Sequence, residues 1–447
     1  MKFPILANDT IVAPATPSGG AIAVVRIEGP RAIEIADAFF TADKGTSLAE
    51  MKGYTLSHGV VGDRDRRIDD VVVALFRSPA SYTGGNMVEI SCHGSAYIVS
   101  EIVRLAIDNG ARSATPGEFT KRAFLAGKID LSQAEAVADV IAADSKASLS
   151  LADTQLRGGY SKSLASLRGE LLRLAALLEL ELDFSEEDVE FANRGELIEL
   201  LERIDGEMAH LTHSFATGNA IKKGVGVAIV GKPNVGKSTL LNRILGEDRA
   251  MVSELAGTTR DTVEECITID GVLFRLIDTA GLHNTDDRLE NMGIERTLKA
   301  LQSAQVVVEL FDSPSSEDIV EIGNEQRVIR VMNKCDRGER DLPEGWIGIS
   351  AKYGDGVEHL LQTIRGCVDT EAVMSGETVV SNSRHYAALC EGREALSRAR
   401  EGLEMSLSSE LVSMDVRVVL DSIGTITGEV TSSDILTEIF SKFCIGK

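Results

Sequence analysis

Two rhythms of apolar and polar positions alternate along this chain. Ala21 to Ile27, Val71 to Phe76 and Met87 to Ser91 are short runs rich in β-branched residues, the pattern of strands. The turn-forming stretch Thr16-Pro17-Ser18-Gly19-Gly20 precedes the first of them. Ser81-Tyr82-Thr83-Gly84-Gly85 separates the other two. Ala96 to Asn109 has helical spacing and stops before Gly110. Residues 1–124 are therefore expected to form a small α+β domain. The period then lengthens. Leu164, Leu167, Leu171, Leu174, Leu178 and Leu182 recur at steps of three and four, and Leu197, Leu200, Leu201 and Ile204 repeat the pattern, so residues 125–221 read as helical with this stripe as their core. Residues 222–376 return to strand runs at Val225 to Val230, Leu273 to Ile277 and Val328 to Met332, with a further strand ending at Ser350. Helical spacing resumes in 377–447 with Leu389, Leu396 and Leu403, then Leu411 to Ile423. The expected architecture is multidomain, α+β and α/β: one discontinuous helical bundle with an α/β domain inserted in it. Insertion is tolerated where the guest's ends lie close together.

The inserted stretch carries chemistry at its strand ends. Residues 231–238 read Gly-Lys-Pro-Asn-Val-Gly-Lys-Ser, a phosphate-binding loop between a strand and a helix. Gly231 and Gly236 let backbone N–H groups converge on phosphate oxygens, Lys237 reaches the β- and γ-phosphates, and the Ser238 hydroxyl ligates Mg²⁺. The loop's remaining residues Asn234 and Val235, and Thr239 after it, line the same site. Asp278-Thr279-Ala280-Gly281 follows the next strand; its aspartate can hold Mg²⁺ through water and Gly281 can offer an N–H to the γ-phosphate. Asn333-Lys334-Cys335-Asp336 follows another. There a carboxylate accepts from guanine N1–H and the exocyclic amine while an amide faces O6, which selects GTP over ATP. Ser350-Ala351-Lys352 is expected to close over the base. Four such tetrapeptides, in this order and each after a strand, define a Ras-like P-loop GTPase domain. Leu282 stands where Ras-like switches carry a water-orienting glutamine. Asp286, Asp287, Glu290 and Glu295 follow it as candidate replacements or as a solvated acidic face.

Composition narrows the class. The chain has 447 residues, 43% of them hydrophobic, enough for several domains with ample cores and not a disordered composition. Its net charge of −23 excludes a basic nucleic-acid-binding surface over the whole molecule but not a local basic patch or a basic partner. The six cysteines form no C-x-x-C pair, so they read as reduced thiols of a cytoplasmic protein. His210 and His213 read as a surface pair. No signal peptide or membrane-spanning run is visible, so no stable membrane insertion is expected. The ending Cys444-Ile445-Gly446-Lys447 does not fit a prenylation signal.

Longer stretches carry a family resemblance. Asp9-Thr10-Ile11-Val12-Ala13, Pro116 to Phe124, Asp130 to Ala136, Ala256-Gly257-Thr258-Thr259-Arg260-Asp261 and Phe443 to Lys447 resemble, with the GTPase motifs, the bacterial and organellar tRNA modification GTPase family (MnmE, also TrmE) over nearly the whole chain. The resemblance implies an N-terminal domain that binds 5-formyl- or methylene-tetrahydrofolate, a two-segment helical domain and an inserted GTPase domain. It implies a homodimer through the N-terminal domains and a heterotetramer with a partner protein dependent on FAD and NADH. Together these install a carboxymethylaminomethyl group at C5 of the wobble uridine of certain tRNAs, with the folate supplying carbon. Folate contacts are implied for Arg26, Glu89, Lys128 and Lys447. GTP contacts are implied for Ser253, Glu254, Leu255, Ala256, Gly257, Thr258 and Thr259, with Thr259 on Mg²⁺. Potassium is implied at Asn234 with Ser253, Leu255 and the Thr258 region, and Glu290 is implied as the catalytic glutamate for the attacking water. Cys444 is a candidate nucleophile toward uridine C6, or a structural or folate-site residue. His283 departs from the arginine common at that place. The competing assignment is a ribosome-assembly-type GTPase; it shares Asn234 and the Thr-Thr-Arg-Asp stretch but leaves the N-terminal domain and the C-terminal ending without a role.

Overall fold

In the computed structural model, which describes residues 9–17, 19–63, 66–183, 194–246, 264–278, 301, 304–313, 326–338 and 342–446, the chain falls into two units. One comprises residues 1–138 with 424–447, the other residues 139–423. The mixed α+β and α/β architecture expected from the sequence is present.

The first unit is built on a seven-stranded sheet. Its strands are β1 (Ile11–Pro14), β2 (Ile22–Glu28), β3 (Phe40–Ala42), β4 (Thr55–Asp63), β5 (Arg66–Phe76), β6 (Met87–His93) and β7 (Arg112–Ser113), in the order β3-β4-β5-β6-β2-β1-β7. All pairs are antiparallel except β1 with β7. Alternation decides which face is core: Val71, Val73 and Leu75 of β5 are buried between more exposed Asp70, Val72 and Ala74. Helices α1 (Ala32–Asp37) and α2 (Ala96–Asp108) add Ile35, Ala36, Ile102 and Leu105 to that core. Strand β4 was not foreseen, because Gly59 and Gly62 interrupt its apolar alternation. The structure gives the reason for Gly59: a β-carbon there would lie 2.2 Å from Thr41 O, so only glycine lets β3 and β4 approach. Helices α3 (Glu118–Leu125) and α4 (Leu131–Ile141) close a smaller core, in which Phe124, Leu131 and Ala134 meet Leu436, Ile439 and Phe440 of the C-terminal helix Ser433–Ser441.

The second unit combines helices with a six-stranded sheet. Helices α5 (Lys146–Leu156), α6 (Gly159–Asp183), α7 (Arg194–His213) and α8 (Phe215–Lys223) lead into the sheet. There follow β8 (Val225–Gly231), α9 (Lys237–Leu245), β9 (Glu264–Ile269), β10 (Val272–Asp278), β11 (Val306–Phe311), β12 (Arg327–Met332) and β13 (Ile347–Gly348). Then come α10 (Val357–Gly366), α11 (Glu371–Ser375), α12 (Ser383–Glu404) and α13 (Ser409–Thr427). The strand order is β13-β12-β11-β8-β10-β9, parallel except for the edge strand β9. The leucine stripe of α6 is core as its spacing required: Leu164, Leu167, Leu171, Leu174 and Leu178 are each no more than 1% exposed. Helices α7 and α12 pack closely enough that a β-carbon on Gly392 would lie 2.8 Å from the Met208 methyl. Helices α5 and α8 share one hydrophobic core with the sheet, through Ala147, Leu151, Ala220 and Ile221.

A buried ion network ties the first unit together. Arg122 is 4% exposed, Glu28 3% and Glu118 8%. The Arg122 guanidinium donates to Glu28 at 2.7 Å, Asp9 at 2.8 Å and Glu118 at 3.1 Å. Arg112 reaches Glu118 and Asp9, each at 2.5 Å, and Thr83 Oγ1 donates to Glu28 at 3.0 Å. Burial works against the Glu118 carboxylate, but hydrogen bonds from Arg112, Thr115 and Arg122 outweigh it and hold its pKa at about 2. That contribution is complete above pH 4.5, Glu118's ordinary value, and fades as pH falls toward 2. Glu28 runs the other way, raised by burial, so its protonation offsets part of the loss in acid. Replacing Arg122 by methionine leaves buried Glu28 without its cation and takes from Glu118 one of its two guanidinium partners, at a cost of about 3–5 kcal/mol. The single tryptophan, Trp346, sits in the other unit, so the measurement is hydrogen exchange over Ile11–Glu28 by mass spectrometry. We expect protection there to fall by that free energy in Arg122→Met while Trp346 fluorescence keeps its unfolding midpoint.

Candidate functional site

The candidate site lies at the carboxyl ends of the parallel strands of the second unit, where chain direction from β8 diverges to β10 on one side and β11 on the other. This is the switch point at which open α/β sheets bind ligands. The first six residues of β8 are buried, which fixes where Gly231 releases the chain. Helix α9 begins at Lys237 with Gly236 as its N-cap at φ +110°. A β-carbon on Gly236 would lie 2.3 Å from Asn333 Nδ2, so the position excludes every side chain as well as requiring a positive φ. Asn234 takes φ +62°, in the left-handed region that asparagine tolerates better than most. Lys237 Nζ lies back over the loop, donating to Gly231 O at 2.8 Å and Lys232 O at 3.2 Å. Asn234, Ser238 and Thr239 are exposed, and Val235 is buried beneath them. The first turn of α9 thus presents unshielded N–H groups, a lysine and two hydroxyls, a donor set that suits a polyphosphate with Mg²⁺.

The end of the site expected to take the base is assembled from three segments. Asn333 Nδ2 donates to Val235 O at 2.8 Å, and its Oδ1 accepts from Ala351 N–H at 3.0 Å. The amide expected to face a base oxygen is therefore engaged through both atoms in joining phosphate loop to closing loop. Lys334 Nζ donates to Asn234 O and to Asp312 Oδ2, both at 2.9 Å. Ser350 Oγ donates to Asp336 Oδ1 at 2.9 Å, which aims the carboxylate. Asp278 ends β10 opposite Ile229 of β8, at the same end of the sheet as Gly231; of this residue the backbone alone is described. Ser253, Glu254, Leu255, Ala256, Gly257, Thr258, Thr259, Thr279, Ala280, Gly281, Leu282, His283, Asp286, Asp287, Glu290, Glu295 and Lys447 lie outside the described residues.

A second constellation belongs to the first unit. Arg26 and Glu89 face each other across β2 and β6 and pair at 2.7 Å. The Arg26 guanidinium lies over the rings of Phe119 at 5.3 Å and Tyr82 at 5.8 Å, and donates to Gly446 O at 3.1 Å. Tyr82 shares a hydrogen bond of 2.9 Å with Thr120, and burial raises its phenol pKa. Gly446 holds φ +97°, and a β-carbon there would lie 2.0 Å from Pro14 O, so the C-terminal tail lies directly against the end of β1. Cys444 is exposed; its carbonyl accepts from Gly117 N–H at 3.4 Å. Lys128 Nζ donates to Pro79 O at 3.1 Å, in the loop that carries Tyr82. Arg26, Glu89 and the tail are thus brought into contact, and Lys128 joins them through that loop.

Sequence reading missed Asp312, Arg243, Tyr82 and Phe119. Asp312 directly follows an apolar strand, the signal that marked Asp278 and Asn333. Arg243 reaches Lys352, 109 residues away, and no local spacing announces such a contact. Among the described residues no cluster of three or more His, Cys, Asp or Glu could hold a metal, and no helix is long and apolar enough to cross a membrane.

Known proteins place this geometry. A family model described as the MnmE helical domain matches residues 131–444, and one described as the GTP-binding protein TrmE N-terminus matches residues 10–128. The tRNA modification GTPase MnmE of Christiangramia forsetii is 48% identical over 98% of this chain and 99% of that protein. Its counterpart in Flavobacterium johnsoniae is 47% identical over 98% and 99%, and that of Bacteroides thetaiotaomicron 46% identical over 98% and 100%. Among solved structures, the G domain of the T. maritima FeoB iron transporter is 24% identical over 32% of this chain and 99% of that one, at a TM-score of 0.26, too slight a likeness to bear on the whole chain. By identity of this extent along its full length, the chain belongs to the MnmE family of tRNA modification GTPases.

Proposed function

We propose that this chain is a GTP hydrolase that acts in tRNA modification. The observation that carries the guanine assignment is the base end itself: a Ser350-anchored Asp336 carboxylate beside a loop fastened by Ala351 N–H to Asn333. Guanine matches such a carboxylate with two donors on one edge; adenine offers no such pair. At the other end, Val235, Gly236, Lys237, Ser238 and Thr239 take the phosphates, with Asp278, Thr279, Ala280 and Gly281 at the γ-phosphate. The hydroxyls of Ser238 and Thr259 would hold Mg²⁺, which when bound would supply charge to neutralise that developing on the phosphate oxygens. Asn234, with Ser253, Leu255 and the Thr258 region, would hold K⁺, whose positive charge would do the work of an arginine finger in other GTPases. Glu254, Ala256 and Gly257 belong to the same nucleotide-contacting segment. Leu282 cannot orient water, and Glu290 takes that role.

The first unit is the folate site and the homodimer surface in this reading. Support comes from the Arg26–Glu89 pair and the rings of Tyr82 and Phe119 beneath the guanidinium. A carboxylate suits the donor edge of a pterin, the half-buried ring of Tyr82 suits its face while Phe119 is fully buried beneath, and Lys128 and Lys447 suit a glutamate tail. A bound folate, as 5-formyl- or methylene-tetrahydrofolate, would supply carbon for a carboxymethylaminomethyl group at C5 of the wobble uridine. Chemistry at the base requires the FAD- and NADH-dependent partner in a heterotetramer, in the cytoplasm. Cys444, exposed on the tail that Arg26 holds, serves that site. GTP hydrolysis gates the assembly through movement of the GTPase domains.

Three outcomes test this. Asp336→Asn lowers GTP affinity on the order of a hundredfold or more and gains xanthosine triphosphate binding, both read by fluorescent-nucleotide titration; an unaltered preference for GTP removes the guanine assignment. Turnover of GTP by the full chain runs several-fold faster in KCl than in NaCl and is lost in Glu290→Ala, measured by phosphate release; equal rates in the two salts refute the role of Asn234. In cells lacking the protein, mass spectrometry of tRNA nucleosides shows wobble uridines without their C5 group. Unaltered uridines favour the ribosome-assembly assignment instead.

A further inference from the structure

Helix α9 carries phosphate-binding residues in its first turn and Arg243 in its last. From there the guanidinium crosses to the loop after β13. Its Nε donates to Ala351 O at 3.4 Å and its Nη2 donates to Lys352 O. Both acceptors are main-chain carbonyls, so the contact fixes the path of the loop whatever its side chains do. The loop is shaped to meet it. Gly354 holds φ +91°, with a notional β-carbon 3.8 Å from the Arg243 side chain, and its N–H donates to Ser350 O at 2.7 Å, turning the chain back on itself. On its other side the same loop engages the base end, through Ser350 with Asp336 and Ala351 with Asn333. Asn333 returns to the phosphate loop at Val235. The connections form a closed circuit: phosphate loop, α9, Arg243, closing loop, Asn333 and phosphate loop again.

We infer that Arg243 is a positioning residue for guanine recognition, clamping residues 350–352 to the far end of the phosphate-binding helix and so setting the spacing between base pocket and phosphate loop. A cation in the last turn is favoured by the helix dipole. A charged donor to a carbonyl is among the stronger hydrogen bonds. The planar fork matters: arginine reaches two successive carbonyls, whereas lysine carries one compact charge. Without the clamp the closing loop keeps its bond to Asn333 but loses its second anchor, and a base held between two anchored segments leaves faster.

The inference rests on the guanine-pocket reading, and the experiment separates the two. Dissociation of fluorescent GDP by stopped flow, and affinities for GDP and ADP, are measured on the full chain as wild type, Arg243→Ala and Arg243→Lys, with the melting midpoint of the nucleotide-free proteins. In Arg243→Ala we expect GDP to leave about tenfold faster, the preference for GDP over ADP to fall by the same factor, and the melting midpoint to stay at the wild-type value; Arg243→Lys falls between. A wild-type dissociation rate in Arg243→Ala overturns the inference. So does a lowered melting midpoint with the GDP-to-ADP ratio intact, which is a structural role alone. If the wild-type protein itself fails to prefer GDP over ADP, the guanine assignment fails and takes the clamp with it.

Discussion

At Gly236 the phosphate loop passes so near Asn333 that the amide nitrogen occupies the space a β-carbon would need, 2.3 Å away. Two demands coincide there. The turn requires a positive φ, and the neighbour forbids any side chain. Either alone would favour glycine; together they leave no alternative without displacing Asn333. Displacing Asn333 would break its bonds to Val235 and Ala351 at once. The loop of residues 231–238 and the loops at Asn333 and Ala351 are consequently one object. Neither can be distorted alone, because a buried amide with broken bonds carries a desolvation penalty of about 1–3 kcal/mol.

That object is set in a sheet whose core does not stop at the sheet. Ala147 and Leu151 of α5, and Ala220 and Ile221 of α8, pack into the same apolar cluster as β8, β10 and β11. Ala147 N–H donates to Gly271 O at 2.9 Å, at the turn that starts β10, and β10 ends at Asp278 beside the phosphate loop. Farther along α5, buried Gln155 donates to Val379 O at 3.2 Å and to Ser381 Oγ at 3.1 Å, fixing the chain that leads into α12. A close-packed interior transmits small displacements because it has few voids in which to absorb them. One strand therefore spans from the nucleotide end of the sheet to the helices, with packed side chains along its length.

Local features of this fold were legible in the sequence; features made by distant residues were not. The phosphate loop, the strand-end motifs and the leucine stripe of α6 depend on spacing within one element, and spacing is what a sequence displays. Strand β4 was hidden because Gly59 and Gly62 read as breaks, whereas Gly59 is there for the close approach of Thr41. The Asn333 motif was recognisable, yet its amide is engaged with Val235 and Ala351, 98 and 18 residues away, a role that no tetrapeptide reveals. Arg122 drew notice only as part of a family stretch. Its burial among Glu28, Glu118 and Asp9 depends on three segments meeting.

Charge makes the last constraint. At −23 the net charge of the chain repels a polyanion at close approach, and beyond a Debye length of about 8 Å at physiological salt that repulsion is largely screened. Several cations that could oppose it are already matched: Arg26 by Glu89, Arg112 and Arg122 by Asp9, Glu28 and Glu118, Lys222 by Asp139, and Arg393 by Asp205. A phosphate approaching any of these must compete with a carboxylate in contact. Affinity for tRNA, which grows with each phosphate neutralised, is thus poorly served by these side chains.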